Sequence, residues 1–170
     1  KRLTDLVQEI INLSRLQDSD PLQVATENNV AELINEAVDL VKTTSEAKGI
    51  SVSAKDIPEV VVLGDNEQLI MAIHNLLENA INYSPENTKV SISVTINDDI
   101  VEIVVADQGI GIPEEAQDRI FERFYRVDPA RSRETGGTGL GLSIVKHVAS
   151  NHGGDVKVWS SPNVGSSFAL

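Results

Sequence analysis

The succession of apolar patterns along this chain predicts an α/β domain, and three observations carry the prediction. Apolar residues recur every three to four positions in three separate stretches, 30–41, 69–81 and 140–149, as helices with one buried face require. Between the second and third, Val90, Ile92, Val94 and Ile96 alternate strictly with Ser91, Ser93 and Thr95, the mark of a strand with one face on a core. The third helical stretch is entered through Thr135-Gly-Gly-Thr-Gly-Leu-Gly141, with four glycines within six residues. A glycine-rich loop feeding a helix start brings backbone N–H groups close to phosphate, and the helix dipole favours the negative charge. The glycines at 137, 139 and 141 fit neither the P-loop nor the dinucleotide fingerprint, because no Lys-Ser/Thr pair follows and the spacing is not G-x-G-x-x-G.

Composition narrows what such a domain does. At 170 residues, 41% of them hydrophobic, the chain suits one compact domain with a small appendage and can bury a core. A net charge of −12 argues against nucleic acid or an anionic membrane surface as a partner. Zero cysteines exclude disulfides, thiolate metal sites and cysteine nucleophiles, and fit a reducing compartment. No apolar run reaches membrane-spanning length, and no signal-peptide pattern opens the sequence. Beginning at Lys1 and stopping within a strand-like stretch, the sequence reads as part of a longer protein.

Taken in order, Leu3, Leu6, Ile10 and Leu13 alternate three and four apart, a heptad-like seam on a helix. Asp18-Ser-Asp-Pro21 ends it, because Pro21 lacks an N–H and disfavours helical geometry at Asp20. The boundary between a helical segment, residues 1–20, and the main domain, residues 21–170, falls there. Residues 22–25 read as a short strand. Asn28 or Asn29 caps the next helix, whose buried side is Val30, Leu33, Ile34, Ala37, Val38 and Val41 and which Gly49 ends. Residues 50–54 alternate as a strand, and residues 60–63 are expected as a short, buried one.

Asp65 begins the most informative helix, with Gln68 at capping-box spacing. On a wheel of about 100° per residue, Leu69, Ile70, Ile73, Leu76, Leu77, Ala80 and Ile81 cluster on one side. Asn75, Asn79 and Asn82 form a stripe opposite. Asparagine is a mediocre helix former, and Lys, Glu or Gln would serve a solvated face better. An amide oxygen, however, can ligate a hard cation such as Mg²⁺, and an amide can donate to phosphate. The alternating strand then turns at Asn97-Asp-Asp99 and returns over residues 100–106 as a hairpin. Asp107 follows at the strand end, where a carboxylate can accept from an exocyclic amine, and Gly109 and Gly111 free the backbone to approach a ligand.

Residues 114–134 are polar, anchored by Ile120, Phe121, Phe124 and Tyr125. They hold Arg119, Arg123, Arg126, Arg131 and Arg133, five of the seven arginines of an acidic chain. Arginine concentrated beside a glycine loop suggests a mobile cover over an anionic ligand, with one or two of the five touching phosphate. A helix to about residue 152, a strand over 155–160 and a last strand over 165–170 complete the chain.

These residues resemble the ATP-binding catalytic domain of bacterial sensor histidine kinases, preceded by the end of the dimerisation domain's second helix. The resemblance covers essentially the whole chain, in the family's order. His74-Asn-Leu-Leu-Glu-Asn-Ala80 is similar to the asparagine box, and Asp107-Gln-Gly-Ile-Gly111 to the first glycine box. Ile120-Phe-Glu-Arg-Phe-Tyr125 is similar to the phenylalanine box, and Gly137-Thr-Gly-Leu-Gly-Leu142 to the second glycine box. Gly165-Ser-Ser-Phe168 is a variant of the closing Gly-Thr-x-Phe.

The resemblance implies a two-layer α/β sandwich of the Bergerat type, a mixed sheet on three helices, with ATP and Mg²⁺ as ligands under a lid. By position, Asp107 would accept from the adenine amino group, and Asn79 would ligate Mg²⁺ with Asn75 in support. Tyr83 would lie alongside the nucleotide. Gly109 and Gly111 would let the backbone pass it, and Gly137, Thr138, Gly139, Leu140 and Gly141 would offer N–H groups to the phosphates. Many members carry lysine where this chain has Asn82, so phosphate contact there is expected to be weaker or to come from an arginine, with Arg126 the candidate. Ser167 is a second, minor departure.

The implied reaction is transfer of the ATP γ-phosphoryl group to a histidine on the dimerisation domain of a homodimer, then relay to an aspartate on a response regulator's receiver domain. The family's acceptor lies in a His-Glu or His-Asp setting on the first dimerisation helix. His74, His147 and His152 lack that setting and are expected to be structural or solvated, so this chain should bind ATP without phosphorylating itself. The implied setting is a cytoplasmic domain of an inner-membrane sensor, tied to the membrane only through upstream sequence. Two alternatives are an ATPase of the same superfamily and a non-catalytic ATP-binding interaction module. The ATPases carry a water-activating glutamate four residues before the Mg²⁺-binding asparagine. Asn75 stands there and cannot act as a base.

Overall fold

The computed structural model describes residues 7, 8, 10, 11, 14, 26–54, 56–98, 100–109, 120, 141–161 and 165–169. Their elements are β1 (Thr26–Asn29), α1 (Val30–Ala47), β2 (Ser51–Ala54), β3 (Val61–Gly64), α2 (Asn66–Asn82), β4 (Lys89–Asn97), β5 (Ile100–Ala106), α3 (Gly141–Asn151), β6 (Lys157–Ser161) and β7 (Gly165–Ala169). A five-stranded sheet runs β2-β4-β5-β7-β6. It is mixed, as expected: β2 lies parallel to β4, and the other neighbours are antiparallel.

The β4–β5 register places Ile92 opposite Val105 and Val94 opposite Ile103, so one sheet face is aliphatic. That face shares a core with Leu33, Ile34 and Val41 of α1, Ile73, Leu76, Leu77 and Ile81 of α2, and Val145 of α3. Ser91, Ser93 and Thr95 point the other way and are exposed. The two-layer α/β sandwich with three helices is what the alternation and the three helical periodicities require. Each large side chain buried in full contributes about 1.5–3 kcal/mol. The core therefore centres on α2, which contributes Ile73, Leu76, Leu77 and Ile81 to the fully buried set.

Local signals set the helix ends. Asn29, not Asn28, caps α1, its Oδ1 accepting from the N–H groups of Ala31 at 2.9 Å and Glu32 at 3.4 Å. Gly49 follows the end of α1 at φ +66°, a left-handed conformation that glycine adopts without strain. Asp65 caps α2 by accepting from Gln68 N–H at 3.2 Å.

One expectation changes. The strand at 60–63 is not buried: Val61 and Leu63 are 55% and 64% exposed. Among the described residues it pairs with β1 in a separate two-stranded sheet, so alternate side chains face outward while Val60 and Val62 pack on the core. The strand before α1 lies at Thr26–Asn29, and residues 22–25 fall outside the described residues. Thr-Glu-Asn-Asn has no strand propensity to speak of. Asn28 supplies the reason. Its buried Nδ2 donates to the carbonyls of Thr26 at 2.8 Å, Gly64 at 3.1 Å and Val62 at 3.4 Å. Of the heptad-like seam, Ile10 is described, helical and exposed along with Val7 and Ile11, while Leu3, Leu6 and Leu13 lie outside the described residues. Among the described residues no helix is long and apolar enough to cross a membrane.

Candidate functional site

The asparagine stripe divides in two. Asn75 is 9% exposed, and its Nδ2 donates to Met71 O at 2.9 Å, one turn back on its own helix. Its Oδ1 lies beneath the start of α3, where a Cβ built on Gly141 would sit 3.4 Å from it. Asn75 thus seats the end of the glycine-rich loop against α2. Asn79 and Asn82 are half-buried, and no hydrogen bond to their amides forms among the described residues. Two amides on one helix face, shielded on one side, are a fitting oxygen source for a hard cation or a donor for phosphate.

At the C-terminal end of α2, the last carbonyls need donors from outside the helix. Tyr83 N–H donates to Asn79 O at 3.2 Å and Ser84 Oγ to Ala80 O at 2.7 Å. The Lys48 ammonium, arriving from the end of α1, donates to Ile81 O at 2.8 Å, Ser84 O at 2.9 Å and Asn82 O at 3.5 Å.

Asp107 stands just past β5, partly exposed, with its Oδ1 accepting from Gly109 N–H at 2.8 Å. A carboxylate is the kind of acceptor an exocyclic amine would need. The neighbouring Gln108 Oε1 accepts from Lys89 N–H at 3.0 Å, fixing the turn to the start of β4. Gly109 is buried against the Tyr83 carbonyl so closely that a Cβ there would collide with it. Asp107, Gly109 and Tyr83 are therefore one assembly, attached to the helix that carries Asn79 and Asn82.

The structure thus brings together Asn75, Asn79, Asn82, Tyr83, Asp107, Gly109 and Gly141. Gly111, Arg126, Gly137, Thr138, Gly139 and Leu140 lie outside the described residues. Within the stretch between the glycine boxes, Ile120 is described and is buried in the main core, one of the anchors expected there. His74 is half-exposed, 3.9 Å from Glu78 across one helical turn. His152 is structural: its Nε2 accepts from Asp65 N–H at 3.0 Å and its Nδ1 donates to Val148 O at 2.8 Å. Sequence reasoning missed Lys48. A lysine before a helix-ending glycine reads as a solvated charge, and nothing local pairs it with carbonyls 33 to 36 residues away.

Comparison with known proteins agrees with this geometry. Residues 64–170 match the model of the histidine kinase-, DNA gyrase B-, and HSP90-like ATPase family. The sensor-like histidine kinase SenX3 of Mycolicibacterium smegmatis is 49% identical over 99% of this chain and 44% of its own length. The sensor histidine kinase WalK of Bacillus subtilis is 33% identical over 92% of this chain and 26% of its own length. This chain therefore spans less than half of such relatives. Among solved structures, the mycobacterial sensor histidine kinase MprB superposes with a TM-score of 0.74 at 30% identity, covering 85% of this chain and 93% of that one. Full-length ShkA in complex with AMPPNP superposes with a TM-score of 0.83 at 28% identity, covering 98% of this chain and 35% of that one. A mixed sheet on three helices, an asparagine-bearing helix packed on an Asp-x-Gly turn, and these relatives place the chain in the histidine kinase-, DNA gyrase B-, and HSP90-like ATPase family, as a catalytic domain of the sensor histidine kinase kind.

Proposed function

We propose that this chain binds ATP with Mg²⁺ between α2, the Asp107 turn and the start of α3, and that the protein it belongs to phosphorylates a histidine. The observation that carries the reading is the Asp107–Gly109 turn seated on Tyr83, at the end of the helix bearing Asn79. It sets an acceptor for an adenine amino group at a fixed place relative to an amide oxygen for a cation. Among the described residues no cluster of three acidic or histidine side chains forms a metal cage. Asn79 would hold the cation through its amide oxygen, a hard donor that suits Mg²⁺. Bound there, Mg²⁺ neutralises charge on the phosphates. Asn82, one turn on, would face a phosphate, and Arg126 and the glycine motif ending at Gly141 are the further donors expected from the sequence.

Phosphoryl transfer asks the protein mainly for positioning and charge neutralisation. In the whole protein the bond between the γ-phosphorus and the bridging oxygen breaks, a bond to an imidazole nitrogen forms, ADP leaves, and the imidazole loses its proton to solvent. Val7, Ile10 and Ile11, helical and exposed, suit a helical bundle, which supports reading residues 1–20 as the end of the second helix of a dimerisation hairpin. The acceptor histidine belongs to that hairpin's first helix, and the phosphoryl group passes on to a response regulator. A water-activating ATPase is disfavoured because Asn75, at the position a glutamate would need, is buried and bonded to its own helix.

Calorimetry with a non-hydrolysable ATP analogue, with and without Mg²⁺, tests the site. Wild type should bind. Asp107→Asn should weaken binding ~10- to 100-fold, the equivalent of one hydrogen bond to a charged group. Asn79→Ala should remove the Mg²⁺ dependence and spare the metal-free affinity. Wild type that binds no adenine nucleotide in Mg²⁺ would turn the reading toward an interaction module.

A further inference from the structure

We propose that Lys48, outside the sequence motifs of the site, is a positioning residue that sets the distance between the metal-side amides and the adenine-side carboxylate. The inference rests on the nucleotide reading above and adds to it a residue from another helix. Three observations carry it. First, the Lys48 ammonium holds the carbonyls of Ile81, Asn82 and Ser84, the stretch that links Asn79 to Tyr83 and the loop beyond. An ammonium at a helix C-terminus also meets the negative end of the dipole.

Second, the Lys48 backbone holds the other end of the same loop, its carbonyl accepting from Asn87 N–H at 3.1 Å. Asn87 itself is left-handed at φ 62°, and it sits so close to left-handed Gly49 that a Cβ on the glycine would meet its side chain. One residue of α1 therefore grips the loop 83–87 at its start and at its finish. Third, the Tyr83 carbonyl is the surface on which Gly109 is packed, and Gly109 N–H holds Asp107 Oδ1. A shift of Tyr83 by a few tenths of an ångström has to move Gly109 or open a gap, and with it the carboxylate. The Lys48 ammonium bonds are to main-chain carbonyls. Lys48 acts through the backbone between the metal-side amides and the carboxylate.

The consequence is specific. Replacing Lys48 with methionine, which keeps the stem and removes the donors, leaves the Asn82 and Ser84 carbonyls short of a donor and frees Tyr83 to move. Arginine keeps charge and reach. Amide spectra of the protein without nucleotide should show Lys48→Met shifting Tyr83, Ser84 and Gly109, while Lys48→Arg leaves Gly109 in place. Calorimetry at a temperature where every variant is folded should show Lys48→Met weakening Mg²⁺–nucleotide binding about 10-fold and Lys48→Arg less than about 3-fold, the larger loss being close to one hydrogen bond to a charged group. Val30→Ala, at the far end of α1, gives a variant of lowered melting temperature with unaltered affinity. It separates loss of position from loss of stability.

An unmoved Gly109 amide in Lys48→Met, or affinity within twofold of wild type while Asp107→Asn loses binding, overturns the proposal. A moved Gly109 amide in a protein whose wild type binds no nucleotide overturns the nucleotide reading and leaves the registration by Lys48 standing.

Discussion

At its N-terminal end α2 is tied to other elements by side chains: Asn66 Nδ2 donates to Asn28 Oδ1 at 2.9 Å, and the Asp65 N–H donates to the His152 ring at 3.0 Å. At its C-terminal end an ammonium from α1 holds the carbonyls, while Asn79, Asn82 and Tyr83 stay half-buried. The first end connects three parts of the fold, β1, α2 and the end of α3, and carries none of the expected site residues. The second offers a row of them and is steadied from behind. Hydrogen bonds between side chains of different elements fix a unique arrangement, and groups so engaged are taken up by the fold. A helix that must bind at one end is made rigid at the other, and its binding end is held through the backbone so that its side chains remain available.

The harshest break joins both ends. Leu77 lies fully buried in the middle of α2, and Leu77→Ala should cost about 2–5 kcal/mol in urea unfolding and lower nucleotide affinity as well. Gly109→Ala should separate the ends. Its methyl group would collide with the Tyr83 carbonyl, so affinity should fall by at least ~10-fold with a stability loss of about 1–3 kcal/mol, as overpacking brings. Equal affinity for Gly109→Ala and wild type would detach the Asp107 turn from Tyr83. Asn28→Ala should do the converse. It strips the β1–β3 carbonyls and Asn66 of their partner and should cost about 1–3 kcal/mol, while calorimetry finds affinity unchanged. The smallest effect sharpens the contrast between a fixed tie and a surface pair. His74 and Glu78 are 31% and 48% exposed and 3.9 Å apart, so His74→Ala should shift unfolding by less than about 0.5 kcal/mol.

The apolar periodicities gave α1, α2 and α3, and the strict alternation gave the hairpin of β4 and β5, because each is a local consequence of having one face on the core. The asparagines stood out for a related reason: they serve a helix poorly and therefore call for another purpose, whereas Asp107, which its turn suits, stood out only through the glycines around it. Asn75 shows the limit. The wheel put it beside Asn79, but whether an amide faces a ligand or its own helix depends on what packs above it, and that is α3, some 66 residues on by the positions of Asn75 and Gly141. The exposure of Val61 and Leu63 was hidden in the same way, since β3 has a polar partner strand that no propensity announces. Lys48 was invisible because its partners are main-chain carbonyls, which carry no sequence signature.

The parallel pairing of β2 with β4 has an effect on motion. The chain between Ser51 and its partner Lys89 contains β3 and the whole of α2, so the edge strand cannot be laid down independently of that helix. Opening α2 enough to expose its amides to exchange therefore undocks β2 as well, and the two belong to one cooperative unit. A ligand that binds the folded helix lowers the population of that opening in proportion to its occupancy. Slowed hydrogen exchange should then appear at the amide of Ser51, which donates to Thr88 O at 3.2 Å where β2 meets the start of β4, on a strand outside the proposed site.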